Sequence, residues 1–483
     1  MLFNSLDFAF FFPLVFFLYW FVVKKQLQAQ NFLLLAASYF FYACWDWRFL
    51  FLLMFSTLLD YFTGIKMREA GNIRWKRIWF WLSIVINLGF LGVFKYYNFF
   101  AESLAESLSY IGFHIDLLTL NIILPVGISF YTFHGLSYVI DVYKERIEPE
   151  RNFVDYAVFV SFFPLLVAGP IERAQHLLPQ IKRTRIFNSE QAVDGMRQIL
   201  WGLFKKIVIA DNCATFANEI FNHSDAYSGS TLVLGTLFFA FQIYGDFSGY
   251  SDIALGTARL LGIELLRNFA FPYFSRDIAE FWRRWHISLS TWFRDYLYIP
   301  LGGSRGGIWM KVRNTFVIFL VSGFWHGANW TFIVWGALHA LYYMPLLVSG
   351  NNRNNLATVA QGKLFPDVKE FGQMVLTFGL TCLAWIFFRA ENVGHAWSYI
   401  SEIFSQSIIE IPRFPGMKKA LTTIMLVTFF MAVEWHGREH QFAIQRSFSQ
   451  KNRIVRWSFY AFIVFLIGMF MPTEETPFIY FQF

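Results

Sequence analysis

The chain has 483 residues, of which 56% are hydrophobic, 21% aromatic and 15% charged, with 62 Phe and a formal net charge of +7. Soluble domains carry roughly 25% charged residues, so this composition excludes a soluble globular protein and predicts an all-α, polytopic membrane chain. The basic excess lies in short loops, where anionic lipid head groups and the positive-inside bias account for it, and no nucleic-acid motif accompanies it.

Residues 8–23 are apolar, with no basic stretch before them and no small-residue cleavage site after, so they read as a first crossing rather than a secretory signal. Lys24-Lys25 follow and place the N-terminus outside. Residues 31–43 and 49–65 are expected to form a hairpin turning at Trp45-Asp46-Trp47-Arg48. Lys66, Arg68, Arg74, Lys76 and Arg77 then mark a cytoplasmic loop. Residues 78–97 cross outward to a segment carrying Glu102, Glu106 and Asp116, and 122–140 return to Lys144, Arg146 and Arg151. Residues 156–167 are short, contain Pro164 and lead into Gly169-Pro170-Ile171-Glu172-Arg173. They are expected to be re-entrant, which requires burial in protein or a place on a cavity wall.

Residues 201–210 hold Lys205 and Lys206 and make a weak crossing. Residues 232–244 run into Gly245-Asp246-Phe247-Ser248-Gly249-Tyr250-Ser251-Asp252, two carboxylates among glycines and hydroxyls, which read either as a cavity wall or as a solvated loop. Residues 314–325, 331–347, 371–388, 421–433 and 457–471 supply the later helices. The expected total is about eleven or twelve crossings, several of half length, with interfacial and re-entrant helices. No linker or internal repeat divides the chain, so residues 1–483 are read as one transmembrane domain.

Two stretches could carry chemistry. In residues 281–295, Phe281, Trp282, Trp285, Leu289, Trp292 and Phe293 alternate with Arg283, Arg284 and Arg294 at roughly helical spacing, as in an interfacial amphipathic helix. Its arginines suit either lipid phosphates or the phosphates of a nucleotide-bearing substrate. His286 lies within it. Further on, Ser322-Gly323-Phe324-Trp325-His326-Gly327-Ala328-Asn329-Trp330 sets an imidazole in apolar sequence. A titratable group at membrane depth is a functional candidate, though a histidine bonded between helices fits as well.

Should His286 and His326 face one cavity, one would be general base and the other would hold or polarise a substrate, since burial favours the neutral, proton-accepting ring. Trp325 and Asn329 fit substrate contact or plain packing. His339, 13 residues after His326, reads as structural. His134, in the broken run from Pro125 to Gly135, reads as packing or as a tunnel lining. Cys44, Cys213 and Cys382 form no disulfide or zinc pattern, no metal site is expected, and no P-loop or Rossmann fingerprint occurs.

Several motifs occur together and in order. They are Pro125-Val126-Gly127-Ile128-Ser129-Phe130-Tyr131-Thr132-Phe133, Ala168-Gly169-Pro170-Ile171-Glu172-Arg173, Phe281-Trp282-Arg283-Arg284-Trp285-His286 through Tyr298-Ile299-Pro300-Leu301-Gly302-Gly303, Phe324-Trp325-His326-Gly327-Ala328-Asn329-Trp330 and Trp385-Ile386-Phe387-Phe388-Arg389-Ala390. In this combination the chain resembles the membrane-bound O-acyltransferase (MBOAT) family, and within it the bacterial alginate-acetylating branch. The resemblance implies a helical bundle around a central funnel or tunnel in the bacterial inner membrane. It implies acyl transfer, with the essential histidine at His326 and the second polar position at His286.

It further implies acetyl-CoA as a cytoplasmic donor substrate, with no bound cofactor. Acetyl would cross the membrane to a separate extracytoplasmic SGNH-type acetyltransferase that modifies a polysaccharide. Within the same family, the rival reading is D-alanyl transfer from a carrier protein to teichoic acid. From another class, it is a polysaccharide-transport subunit without chemistry, a reading disfavoured by the lack of repeat symmetry.

Overall fold

Polar residues punctuate the apolar runs and start the helices. Ser5, Asn72, Asn152, Asp277, Asn329, Asp367, Asn392 and Asn452 each sit at an N-cap and accept a hydrogen bond from a first-turn backbone N–H. Each thereby satisfies a donor the helix cannot. The computed structural model describes residues 1–115, 119–120, 123–167, 169–446, 452–472 and 478–479, and the regular elements among them are all helical. Asp116, Ile122 at the start of the expected 122–140 crossing, and Ala168 lie outside the described residues.

Contacts divide the chain into two units, Met1–Ser189 with Ala258–Leu266, and Glu190–Thr257 with Arg267–Phe483. The first unit holds α1 (Leu6–Phe17), α2 (Leu27–Glu69), α3 (Ile73–Leu91), α4 (Tyr97–Tyr110), α5 (Ile128–Tyr143), α6 (Phe153–Ser161), α7 (Phe163–Leu166) and α8 (Ala174–Lys182). α2 packs on α3, α5 and α6. Where the sequence predicts a hairpin turn, α2 is broken at Asp46 alone, whose φ of −158° and ψ of 111° are extended. Asp46 accepts hydrogen bonds from the Arg48 backbone N–H and guanidinium across that break.

α6 and α7 meet at Phe162 and are buried from Asp155 to Leu166, with Pro164 in the first turn of α7. His134 has a packing role in this unit, because its Nε2 accepts the Glu172 backbone N–H at 3.1 Å and steadies the Gly169–Arg173 motif.

The second unit holds α9 (Ser189–Leu203), α10 (Asp211–Asn222), α11 (Gly229–Leu260), α12 (Ile278–Arg284), α13 (Ile287–Phe293), α14 (Gly307–His326), α15 (Trp330–Val348), α16 (Val368–Arg389), α17 (Val393–Ile403), α18 (Met417–Gly437) and α19 (Arg453–Phe470). Seven helical stretches among the described residues are long and apolar enough to cross a membrane. They are α2, Ile73–Tyr110, α11, α15, α16, α18 and α19. Leu6–Val22 and Phe153–Leu166 are shorter apolar helices, and α5 has only 16 residues. Half-length helices therefore account for most of the excess in the sequence count.

Two local expectations change. Residues 245–252 are neither loop nor solvated, since they form the middle of α11, and Asp246 and Asp252 point at cations. Those cations are Lys205 and Lys206, buried on a π-helical turn, Phe204–Ala210, between α9 and α10. Lys205 meets Asp252 at 2.5 Å, and Lys206 meets Asp246 at 2.7 Å and Asp211 at 2.8 Å. The backbones of α9 and α11 come close enough for this because Gly202 and Gly249 face each other, and a Cβ on either would press on the other's carbonyl.

The second change concerns residues 281–295, which are not one amphipathic helix. They split into α12 and α13 at His286, whose φ of 43° is left-handed. Most of the aromatic side of the stretch is buried, and Arg283 and Arg284 bond to the protein, while Arg294 stays largely exposed.

Candidate active site

His326 is the last residue of α14, and the chain turns at once through extended Gly327 into α15. The two helices of this hairpin lie backbone against backbone. A Cβ on Gly323 would run into the Phe332 carbonyl, and one on Gly336 into the Phe319 carbonyl. Small residues at such crossings let membrane helices pack by van der Waals contact. The tight hairpin carries the imidazole inward to 3% exposure, framed edge-to-face by Trp335 at 5.0 Å and Phe388 at 5.2 Å between ring centroids.

His286 occupies the elbow between α12 and α13. Asn268 pins that elbow twice, its backbone oxygen accepting the Ile287 N–H at 2.9 Å and its Oδ1 accepting the Ser288 hydroxyl at 2.6 Å. The left-handed backbone at His286 is strain of the kind held by surrounding contacts. The ring is fully buried against Phe247 at 4.7 Å and Trp325 at 5.9 Å. Neither of its nitrogens has a hydrogen-bond partner among the described residues. Burial holds its pKa well below the ordinary imidazole range, so the ring is a neutral base.

Sequence spacing left open whether the two histidines meet. Both pack on Trp325, so they belong to one aromatic cluster. The cluster extends through Trp335 to His339 and Trp282, and His339 thus shares the neighbourhood of His326 despite their separation in sequence. Trp335 and Asn268 are parts of the site that the motifs did not include, and Phe247 and Phe388 lie within quoted motifs that assigned them no role at the site. Only the i, i+4 spacing of Trp335 and His339 on α15 hinted that they share a face.

The remaining predicted residues are placed as follows. Asn329 caps α15 through Oδ1 and donates through Nδ2 to the Glu391 carbonyl, so it holds the His326 turn in place. Arg283 donates to the backbone oxygens of Asn352 and Asn355. Arg284 pairs with Glu280 at 2.8 Å and donates to the Ala270 carbonyl. Arg294 pairs with its neighbour Asp295 and keeps a side chain 59% exposed. A separate polar cavity of about 430 Å³, lined by Arg276, Asp277, Asn351, Asn355, Asp367 and Glu370 among others, includes none of the predicted site residues. Chemically, the cluster offers buried imidazoles in a low-dielectric aromatic wall, suited to accepting a proton from a neutral nucleophile.

Residues 149–363 match the family model described as MBOAT, membrane-bound O-acyltransferase family, a span that includes both His286 and His326. The chain is 41% identical over 406 residues to the probable alginate O-acetylase AlgI of Pseudomonas aeruginosa, covering 84% of this chain and 75% of that protein. It is 38% identical over 427 residues to the peptidoglycan O-acetyltransferase of Helicobacter pylori, covering 82% and 78%. The teichoic acid D-alanyltransferase of Streptococcus thermophilus is 32% identical over 233 residues, covering 45% and 55%.

Proposed function

Because this chain belongs to the membrane-bound O-acyltransferase family, we propose that His326 is the general base with which it takes acetyl from cytoplasmic acetyl-CoA and passes it across the membrane to modify a glycan. The chain is a multi-pass membrane O-acyltransferase. His326 accepts the proton of the attacking hydroxyl as its oxygen bonds to the thioester carbonyl carbon. The carbon–sulfur bond then breaks, and the proton leaves His326 for the thiolate. A positioned base of this kind contributes about 10²–10⁴-fold. His286, neutral and packed on the same Trp325, holds or polarises the reacting group.

The observation that carries this reading is the meeting of two buried imidazoles on one tryptophan. Relatives named for acetylating alginate and peptidoglycan support a glycan acceptor, delivered through a separate SGNH-type acetyltransferase. Relatives named for D-alanyl transfer favour the second reading, a carrier-protein donor and teichoic acid, over a shorter stretch.

Purified protein in liposomes, offered labelled acetyl-CoA or D-alanyl carrier protein, separates the two donors. His326→Ala is expected to insert normally and to transfer no acetyl. Full acetylation by that variant would refute the assignment, and altered glycan passage with unchanged acyl content would point to a transport subunit.

A further inference from the structure

Attack on the thioester puts negative charge on the former carbonyl oxygen, and preorganised donors aimed at that oxygen supply much of the acceleration in acyl transfer. Two buried donors in the aromatic cluster of His326 have no acceptor among the described residues. Trp335 is fully buried, and its indole N–H finds no partner among the described residues. His339, also fully buried, accepts the Trp282 indole N–H on Nδ1 at 3.3 Å. A neutral ring that accepts on Nδ1 carries its proton on Nε2, and this second N–H is likewise without a partner.

Native structures rarely keep buried donors unsatisfied without a use. Neither can serve as an acceptor, because indole nitrogen only donates and the one acceptor of His339 is taken. A ligand that satisfies them must therefore present an acceptor oxygen. The two residues stand four apart on α15, with ring centroids 4.9 Å apart. The Trp335 ring also meets His326 edge-to-face. Base and donors thus follow one another as His326, Trp335 and His339, within an aromatic wall that strengthens hydrogen bonds to a developing charge.

We propose that the Trp335 indole N–H and the His339 Nε2–H are the hydrogen-bond donors that stabilise the oxyanion formed from the thioester carbonyl. This assignment rests on the reading of His326 as base. As the hydroxyl oxygen bonds to the carbonyl carbon and its proton moves to His326, the carbonyl π electrons become the alkoxide held by the two N–H groups. They return as the carbon–sulfur bond breaks, and the thiolate leaves with the proton from His326.

The test uses the full-length protein in liposomes with acetyl-CoA and its acceptor. Trp335 is replaced by Phe and, separately, by benzothienylalanine, which keeps the bicyclic shape but puts sulfur where the N–H was. His339→Leu removes its donor, and His339→Gln keeps one. The expected result is a fall in kcat of about 10²–10³-fold for the benzothienylalanine and His339→Leu proteins. KM for acetyl-CoA should stay within about threefold, as for an interaction made only in the transition state. Thermal stability of the benzothienylalanine protein should be that of the wild type, and His339→Gln should recover part of the rate lost in His339→Leu.

A benzothienylalanine protein that folds normally and keeps its kcat overturns the assignment, and so does a rise in KM alone. His326→Ala, run alongside, separates the two ideas. If it is inactive while the benzothienylalanine protein is active, only the oxyanion assignment fails. If it is itself active, the base reading fails first.

Discussion

Lys206→Met removes one charge from a network that supports the site from behind. The Lys206 side chain is 2% exposed and sits between Asp246 and Asp211. Methionine keeps much of its length and apolar stem, so the change is chiefly the loss of the ammonium. Lys205 cannot substitute, because Asp252 already holds it. Removing one partner of a buried ion pair costs about 3–5 kcal/mol, since the other charge is left uncompensated. Set against a total stability of about 5–15 kcal/mol, that is a large fraction.

Adding Asp246→Asn removes one of the two carboxylates left without their lysine, Asp211 being the other, while keeping an oxygen to accept the Ile479 backbone N–H. The double variant should therefore recover part of the loss. Unfolding of the two single variants and the double variant in detergent, read as a double-mutant cycle, measures the coupling. Phe247, next to Asp246 in the chain, packs on His286, so acetyl transfer should fall along with stability. The reasoning is refuted if Lys206→Met stays within about 1 kcal/mol of wild type, or if the double variant is no more stable than the single.

Gly323→Ala should force the α14 and α15 backbones apart at the Phe332 carbonyl, at a cost of about 1–3 kcal/mol. Because His326 lies on the next turn, specific activity per folded molecule should fall too. Gly372→Ala on α16, where a Cβ meets nothing within 4 Å, is the control for both readouts. Stability should also depend on pH through His176, whose Nδ1 hydrogen-bonds to the buried Glu172 carboxylate at 2.8 Å. That bond raises the His176 pKa above its ordinary value of about 6.5. The charged ring's stabilisation is then fully present below about pH 6.5 and lost as pH rises through the folded-state value. Its size is modest, because the side chain is 38% exposed. Melting temperatures of wild type and His176→Gln should converge as pH rises from about 6 to about 8, and parallel curves would remove His176 from the account.

Much of this protein was legible in one dimension because its strongest signals are local. Apolar runs of membrane length and basic loop residues each act within a few positions, and they delivered the helical, multi-pass membrane class. His326 was visible for the same reason, as an ionisable ring inside apolar sequence. What depended on distant partners was not visible. Lys205 and Lys206 read as blemishes in a poor crossing, and Asp246 and Asp252 as a cavity wall or a solvated loop. A buried charge is tolerable only beside its counter-charge, and here those partners lie about forty residues away on a second helix that paired glycines let approach.

The arginines of residues 281–295 were undecided for the same reason. Helical periodicity shows which residues share a face, but not whether lipid, substrate or the Asn352–Asn355 backbone will meet that face. Only the tertiary structure decided that His286 and His326 share Trp325, that α12 ends at a left-handed histidine, and that Trp335 and His339 hold unanswered donors beside the base. Each depends on distances between helices, and neither hydropathy nor spacing along the chain encodes a distance of that kind.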